Sequence, residues 1–151
     1  METTKQAAVV PIHIGLTVSD VHRSIDFYVK GFGFEVMKAP NLVVGSNPFT
    51  GFPEMETHHA FLRNAHLILE MSQYVKPRMG EAVPTPLNNP GCVHISFAVP
   101  DVRSRYQELV AQGMPCLAPP SQSTRTGKWM LFVRDPDGVL VELIEGDSHP
   151  A

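Results

Sequence analysis

The chain has little cysteine, no surplus of positive charge and no long apolar run, and each shortage removes a class of function. Its two cysteines, Cys92 and Cys116, show neither C-x-x-C spacing nor the density of a secreted scaffold, so they read as free thiols of a reducing compartment. A formal net charge of −3 without a cluster of Lys or Arg leaves nothing to neutralise phosphates or an anionic bilayer, which directs attention to a small-molecule partner, with no nucleic acid and no membrane. No window approaches the ~18 apolar residues of a membrane span, and the opening residues Met1 to Ala8 carry no signal-like apolar core. A soluble cytoplasmic protein is expected. At 151 residues the chain suits one domain that buries its own core.

What the sequence does have is an internal repeat. Set beside His94-Ile-Ser-Phe-Ala-Val-Pro-Asp-Val102, the segment His13-Ile-Gly-Leu-Thr-Val-Ser-Asp-Val21 coincides at His, Ile, Val, Asp and Val, at one constant offset. Phe61 to Glu70 echoes Phe132 to Glu142, with one extra residue in the second turn. Each copy opens with a strand of period two: Ile12, Ile14, Leu16 and Val18 oppose His13, Gly15 and Thr17, while Val93, Ile95, Phe97 and Val99 oppose His94, Ser96 and Ala98. Asp20 and Asp101 then stand where they can cap a helix, over Val21 to Lys30 and Val102 to Gln112, with Gly31 and Gly113 as the expected left-handed ends. Three strands are predicted after each helix: Phe34–Lys38, Thr57–Leu62 and His66–Ser72, then Pro115–Ala118, Lys128–Arg134 and Val139–Ile144. Asp135-Pro-Asp-Gly138 marks the last hairpin turn. Ala39 to Met55, rich in Pro and Gly, reads as a long functional or mobile insertion, and Val75 to Gly91 as the link between copies.

On the strand faces opposite the apolar ones lie His13, Glu70, His94 and Glu142. Ionisable groups at mid-strand, flanked by Leu69 and Met71 or by Val141 and Leu143, are costly when dry and unpaired. If the concave faces of the two copies meet, two imidazoles and two carboxylates converge into an N2O2 set that suits one first-row divalent ion such as Ni, Co, Zn, Fe or Mn.

The residues His13, Ser24 with Phe27-Tyr28, Gly31-Phe-Gly-Phe34, Glu70, His94 and Asp135-Pro-Asp-Gly-Val-Leu-Val-Glu142 resemble the vicinal-oxygen-chelate superfamily of glyoxalases, methylmalonyl-CoA epimerases, fosfomycin-resistance proteins and extradiol dioxygenases. The resemblance covers about residues 9–146. It implies an α+β fold of paired βαβββ modules, about 9–75 and 91–146, forming a metal-binding cup in a single domain over 9–151, after a flexible N-terminus of residues 1–8. It also implies a homodimer whose cup can be shared between chains. The metal ligands would be His13, Glu70, His94 and Glu142, with Glu142 first and Glu70 second as catalytic base. The implied activity is a metal-dependent isomerase or lyase of glyoxalase or epimerase type, moving a proton alpha to a carbonyl through a metal-chelated enediolate. Alternatives are an Fe(II) or Mn(II) oxygenase of a vicinal diol or enol, and a non-catalytic binding or resistance protein. Where glyoxalase I continues past its Glu with an Asn-Trp-Gly-like segment, this chain has Met71-Ser-Gln-Tyr-Val-Lys-Pro77. Its Asn89-Pro-Gly-Cys-Val-His94 is closer to the epimerases, although those commonly place Gln where Glu70 stands.

Other residues have milder readings. His58, His59 and His66 read first as hydrogen-bonded structural groups, and His22 and His149 as solvated ones. Cys92 shares a face with His94 and reads as a small buried thiol. Trp129, Arg125 and Lys128, beside the loop Ser121 to Thr126, form either an anion-binding group or a solvated rim, and Phe49 and Phe52 either a lid over the cup or packing for their own loop.

Overall fold

Alternating apolar residues lay down strands, and capped amphipathic stretches lay down helices, in an order that repeats. The computed structural model describes residues 9–146 apart from 48, 66 and 82–84, so His66, His149 and the N-terminal segment 1–8 lie outside the described residues. The first module runs β1 (Ile14–Thr17), α1 (Val21–Phe32), β2 (Glu35–Asn47), β3 (Phe52–Asn64) and β4 (Leu67–Lys76). The second runs β5 (His94–Val99), α2 (Val102–Ala111), β6 (Ser121–Gln122), β7 (Trp129–Arg134) and β8 (Leu140–Glu145). Each module forms its own four-stranded sheet, ordered β1-β4-β3-β2 and β5-β8-β7-β6, with the opening strand parallel to the last and the other pairs antiparallel. The fold is therefore the pair of βαβββ modules expected.

Both helices start as the sequence predicts: Asp20 accepts from the backbone N–H groups of His22 and Arg23, and Asp101 from those of Arg103 and Ser104. The end of α1 differs. The left-handed residue is Gly33, at φ 65°, and Gly31 stays helical. A Cβ at Gly31 would come within 3.1 Å of the Met114 methyl, so this glycine serves a close approach, which sequence cannot tell from a helix stop.

Two further expectations change. The segment read as an insertion continues the sheet as the outer arms of β2 and β3, because Asn41, Leu42, Val43 and Val44 pair with His59, His58, Thr57 and Glu56. Pro40 is tolerated because it falls at a register shift between Lys38 and Asn41. The strand predicted over Pro115–Ala118 shrinks to one bridge, Cys116 to Val133, and the pairing resumes at Ser121 and Gln122 beyond Pro119 and Pro120, which lack a donor for the ladder.

One core serves both modules. Ala60, Leu62, Leu69 and Met71 of the first sheet and Ile95, Leu131, Val133, Val141 and Leu143 of the second join Val21, Ile25, Tyr28 and Phe32 of α1 and Val102 and Leu109 of α2. Phe97 of β5 meets Phe32 and Phe34, each at a centroid distance of 5.8 Å. A polar clasp adds to this. The Tyr28 hydroxyl donates to Asp135 at 3.1 Å, and Ser19, Ser24 and Arg23 all engage Asp137 in the Asp-Pro-Asp-Gly turn. The modules thus meet through helix and turn, and β1 and β5 are each an outermost strand of their sheet.

Candidate functional site

Glu70 and Glu142 owe their direction to the same register in both sheets. Glu70 pairs with Gly15, two residues after His13, and Glu142 pairs with Ser96, two residues after His94. Residues two apart share a strand face, so each His lies on the side of its own Glu. His13 Nε2 stands 2.9 Å from Glu70 Oε2, and His94 Nε2 stands 3.6 Å from Glu142 Oε2. The repeat extends to a ring beneath each pair: Phe61, cross-strand from Glu70, meets the His13 ring edge-on at 6.3 Å, and Phe132, cross-strand from Glu142, meets His94 at 6.0 Å.

The two half-sites differ in what holds the carboxylate. Glu70 has its other oxygen, Oε1, 3.2 Å from Nδ1 of His59, and that nitrogen is also 3.2 Å from Ser72 Oγ. Glu142, which is buried, accepts from Ser96 Oγ at 2.8 Å on Oε2, the oxygen that faces His94. His59, Ser72 and Ser96 extend the set found by sequence. The serines follow from parity alone, since each lies two residues from a singled-out position. Asn41, the cross-strand partner of His59, has its Oδ1 buried without a hydrogen-bond partner among the described residues, a polar atom that a bound group or water would satisfy.

The structure brings His13 to Glu70 and His94 to Glu142. It does not gather all four within one chain: among the described residues no group of three or more His, Cys, Asp or Glu side chains is placed to hold a metal. The cavity lined by His94, Ser96 and Glu142, about 1120 Å³, is walled by Phe32 and Asn64 and by the cations Arg105, Arg125 and Lys128. Arg125 and Lys128 therefore face the second half-site, whereas Trp129 lies under the Arg103 guanidinium at 4.9 Å. Cys92 directs its thiol to the Thr85 carbonyl, and burial pushes the Cys116 thiol pKa up, so neither is poised as a nucleophile. Phe49 is 98 % exposed and does not line this cavity, while Phe52 packs against Tyr74.

As chemistry, each half-site offers an imidazole nitrogen and a carboxylate oxygen on one sheet face, the donor types of a borderline divalent ion. A complete shell needs both halves. The family model described as Glyoxalase/Bleomycin resistance protein/Dioxygenase superfamily matches residues 11–143. A lactoylglutathione lyase of Arabidopsis thaliana is 25 % identical over 142 residues, covering 92 % of this chain and 45 % of the plant protein, so the chain spans about half the length of that relative. Among solved structures, a glyoxalase family protein from Bacillus cereus superposes with a TM-score of 0.80 at 19 % identity, over 95 % of this chain and 98 % of its own. A fosfomycin resistance protein from Listeria monocytogenes gives 0.66 at 17 %, over 93 % and 96 %. At these identities the two structures attest the fold.

Proposed function

The chain belongs to the glyoxalase/bleomycin resistance protein/dioxygenase superfamily, and from that premise we propose that it is a metal-dependent isomerase or lyase acting by proton transfer at a carbon next to a carbonyl. The observation that carries this reading is the duplicated half-site: the same His and Glu, at the same register offset, over the same edge-on phenylalanine, on two sheets. His13, Glu70, His94 and Glu142 would hold one divalent ion, with the two pairs drawn from different chains of a homodimer. The open edges of β1 and β5 support the shared site. Ile12 and Val93, the residues ahead of each histidine, are 76 % and 68 % exposed, and an uncovered strand edge flanked by apolar side chains calls for a partner.

When bound, a divalent ion supplies Lewis acidity that acidifies the C–H beside a coordinated carbonyl and offsets the charge that develops there. The proton itself falls to Glu142. Ser96 and His94 both address its Oε2, whereas Glu70 is tied to an imidazole at each oxygen, so Glu142 is the freer of the two to turn toward a substrate carbon. Glu70 anchors. The lyase named among the relatives supports this class of reaction, and Arg125 and Lys128 give the cavity of the second half-site positive charge toward an anionic part of a substrate, while Arg105 in the same lining is engaged by Glu108 and the Gly31 carbonyl.

The test is deuterium exchange. Protein loaded in turn with Ni, Co, Zn, Fe and Mn is incubated in D2O with α-hydroxy ketones, α-keto acids and acyl thioesters, and label next to the carbonyl is read by mass spectrometry. Exchange is expected with at least one metal, and Glu142→Gln is expected to slow it about 100-fold or more. Absence of exchange under every loading, or full exchange in the variant, would overturn the assignment.

A further inference from the structure

The sheet face that carries His13 and Glu70 continues past them. By alternation Thr17 follows His13 and Gly15, and Tyr74 follows Glu70 and Ser72, so Tyr74 lies about 13 Å along β4 from Glu70 on the same side. There the chain forms a second cleft of about 470 Å³, lined by Thr17, Phe52, Tyr74, Pro77, Arg78 and Met79. Phe52 and Tyr74 meet edge to face, with centroids 5.8 Å apart and planes at 70°. We infer that this cleft is a substrate subsite for a neutral aromatic ring, carried on a spacer from the oxygen-bearing end that reacts at the half-sites. The inference rests on the concave face being the substrate face, as proposed above, and deepens it by naming a substrate class.

The lining argues for a ring over a simple alkyl chain and over an anion. An aromatic pair already set edge to face can take a third ring in the same geometry, a thioether sulfur favours a ring edge, and a guanidinium favours a ring face. Met79 and Arg78 supply the last two. The charge balance does not favour an anion. Arg78 shares the lining with Glu81, and Asp137 at the same rim is held by Ser19, Ser24 and Arg23. Arg125 and Lys128 line the other cavity, that of Glu142.

Hydroxamates separate the two ends, because their paired oxygens address a metal while the tail explores the cleft. With metal-loaded protein, calorimetry compares acetohydroxamate with ω-phenylalkyl and ω-cyclohexylalkyl hydroxamates of increasing spacer length up to about 13 Å. The phenyl series is expected to gain affinity once the spacer reaches the cleft, and to exceed the cyclohexyl series there by about three- to tenfold. Phe52→Leu and Tyr74→Leu, which keep bulk without the ring, are expected to erase that difference, while acetohydroxamate, too short to reach, binds parent and variants alike. Equal affinity of phenyl and cyclohexyl tails, or a phenyl preference that survives both substitutions, would overturn the subsite. Failure of acetohydroxamate to bind any loaded form would instead overturn the metal centre. The cleft is then judged on metal-free protein by saturation transfer to the ring protons of a phenylalkanoate: transfer lost in the leucine variants supports the subsite, and transfer absent in the parent refutes it.

Discussion

His59 shows how one side chain can set the character of a site without being a ligand. Its Nδ1 lies 3.2 Å from Glu70 Oε1, while the opposite oxygen of the same carboxylate lies 2.9 Å from His13. Glu70 is thereby held in the rotamer that presents Oε2 toward His13. Partners of this kind fix the orientation of ligating carboxylates, and losing one typically costs about 10–100-fold in metal affinity. His59→Ala is accordingly expected to weaken divalent-metal binding by that factor, measured by competition with a chromophoric chelator, and His59→Gln, which keeps a donor, to recover part of it. A merely structural His59 would lower thermal stability and leave the chelator titration where it was. The two pairs, His13 with Glu70 and His94 with Glu142, were legible in the sequence because two periodic features, strand alternation and the repeat, single them out together. His59 was not. His58 and His59 are adjacent, and only the cross-strand register, Phe61 opposite Glu70 and His59 opposite Ser72, decides which of them faces the carboxylate.

At the scale of elements, the joint between α1 and the Asp-Pro-Asp-Gly turn carries the most concentrated polar contact between the modules. Tyr28 is fully buried there, with its hydroxyl on Asp135, and burial first, then the nearby carboxylate, pushes its pKa well above the ordinary 10.0. The sign follows from linkage. An unfolded tyrosine loses its proton near pH 10 and the folded one keeps it, so unfolding releases a proton above that pH and stability falls as pH rises; below pH 10 this residue contributes no pH dependence. Tyr28→Phe is expected to cost about 1.5–3 kcal/mol at neutral pH through the lost hydrogen bond to a charged acceptor. Above pH 10 its unfolding free energy should fall less steeply than the parent's, by about 1.4 kcal/mol per pH unit, the slope of one proton. Equal slopes in denaturant titrations across that range would count against the buried phenol. The elements themselves were mostly legible: caps at Asp20 and Asp101, period-two strands and the final turn all stand where the residues put them. The errors share a cause. Proline and glycine density in Ala39–Met55 resembles a loop, yet the Leu42-Val43-Val44 run pairs with β3 and a single register shift absorbs Pro40. Which of Gly31 and Gly33 ends α1 depends on Met114, far along the chain.

At the scale of the whole molecule, joining the modules through α1 and the clasp leaves β1 and β5 as outermost strands of their sheets, with His13 and His94 at 36 % and 45 % side-chain exposure. The proposed two-fold dimer, with the first sheet of one chain against the second sheet of its partner, would cover both β1 and β5 and complete two equivalent metal shells, since an isologous arrangement repeats every contact. Subunit exchange distinguishes this from closure within a chain. A chain carrying His13→Ala with Glu70→Gln keeps only its second half-site, and a chain carrying His94→Ala with Glu142→Gln keeps only its first. Each alone is expected to bind no stoichiometric metal. Mixed under conditions that exchange subunits, half of the dimers become hybrids with one intact shell of two, so metal binding should return to about a quarter of the parent value. Measured by metal analysis after gel filtration, recovery at that level identifies a shared centre. A mixture as empty as its two components, under exchange verified with labelled chains, would mean that the halves of each shell come from the same chain, and the open edges of β1 and β5 would need another explanation.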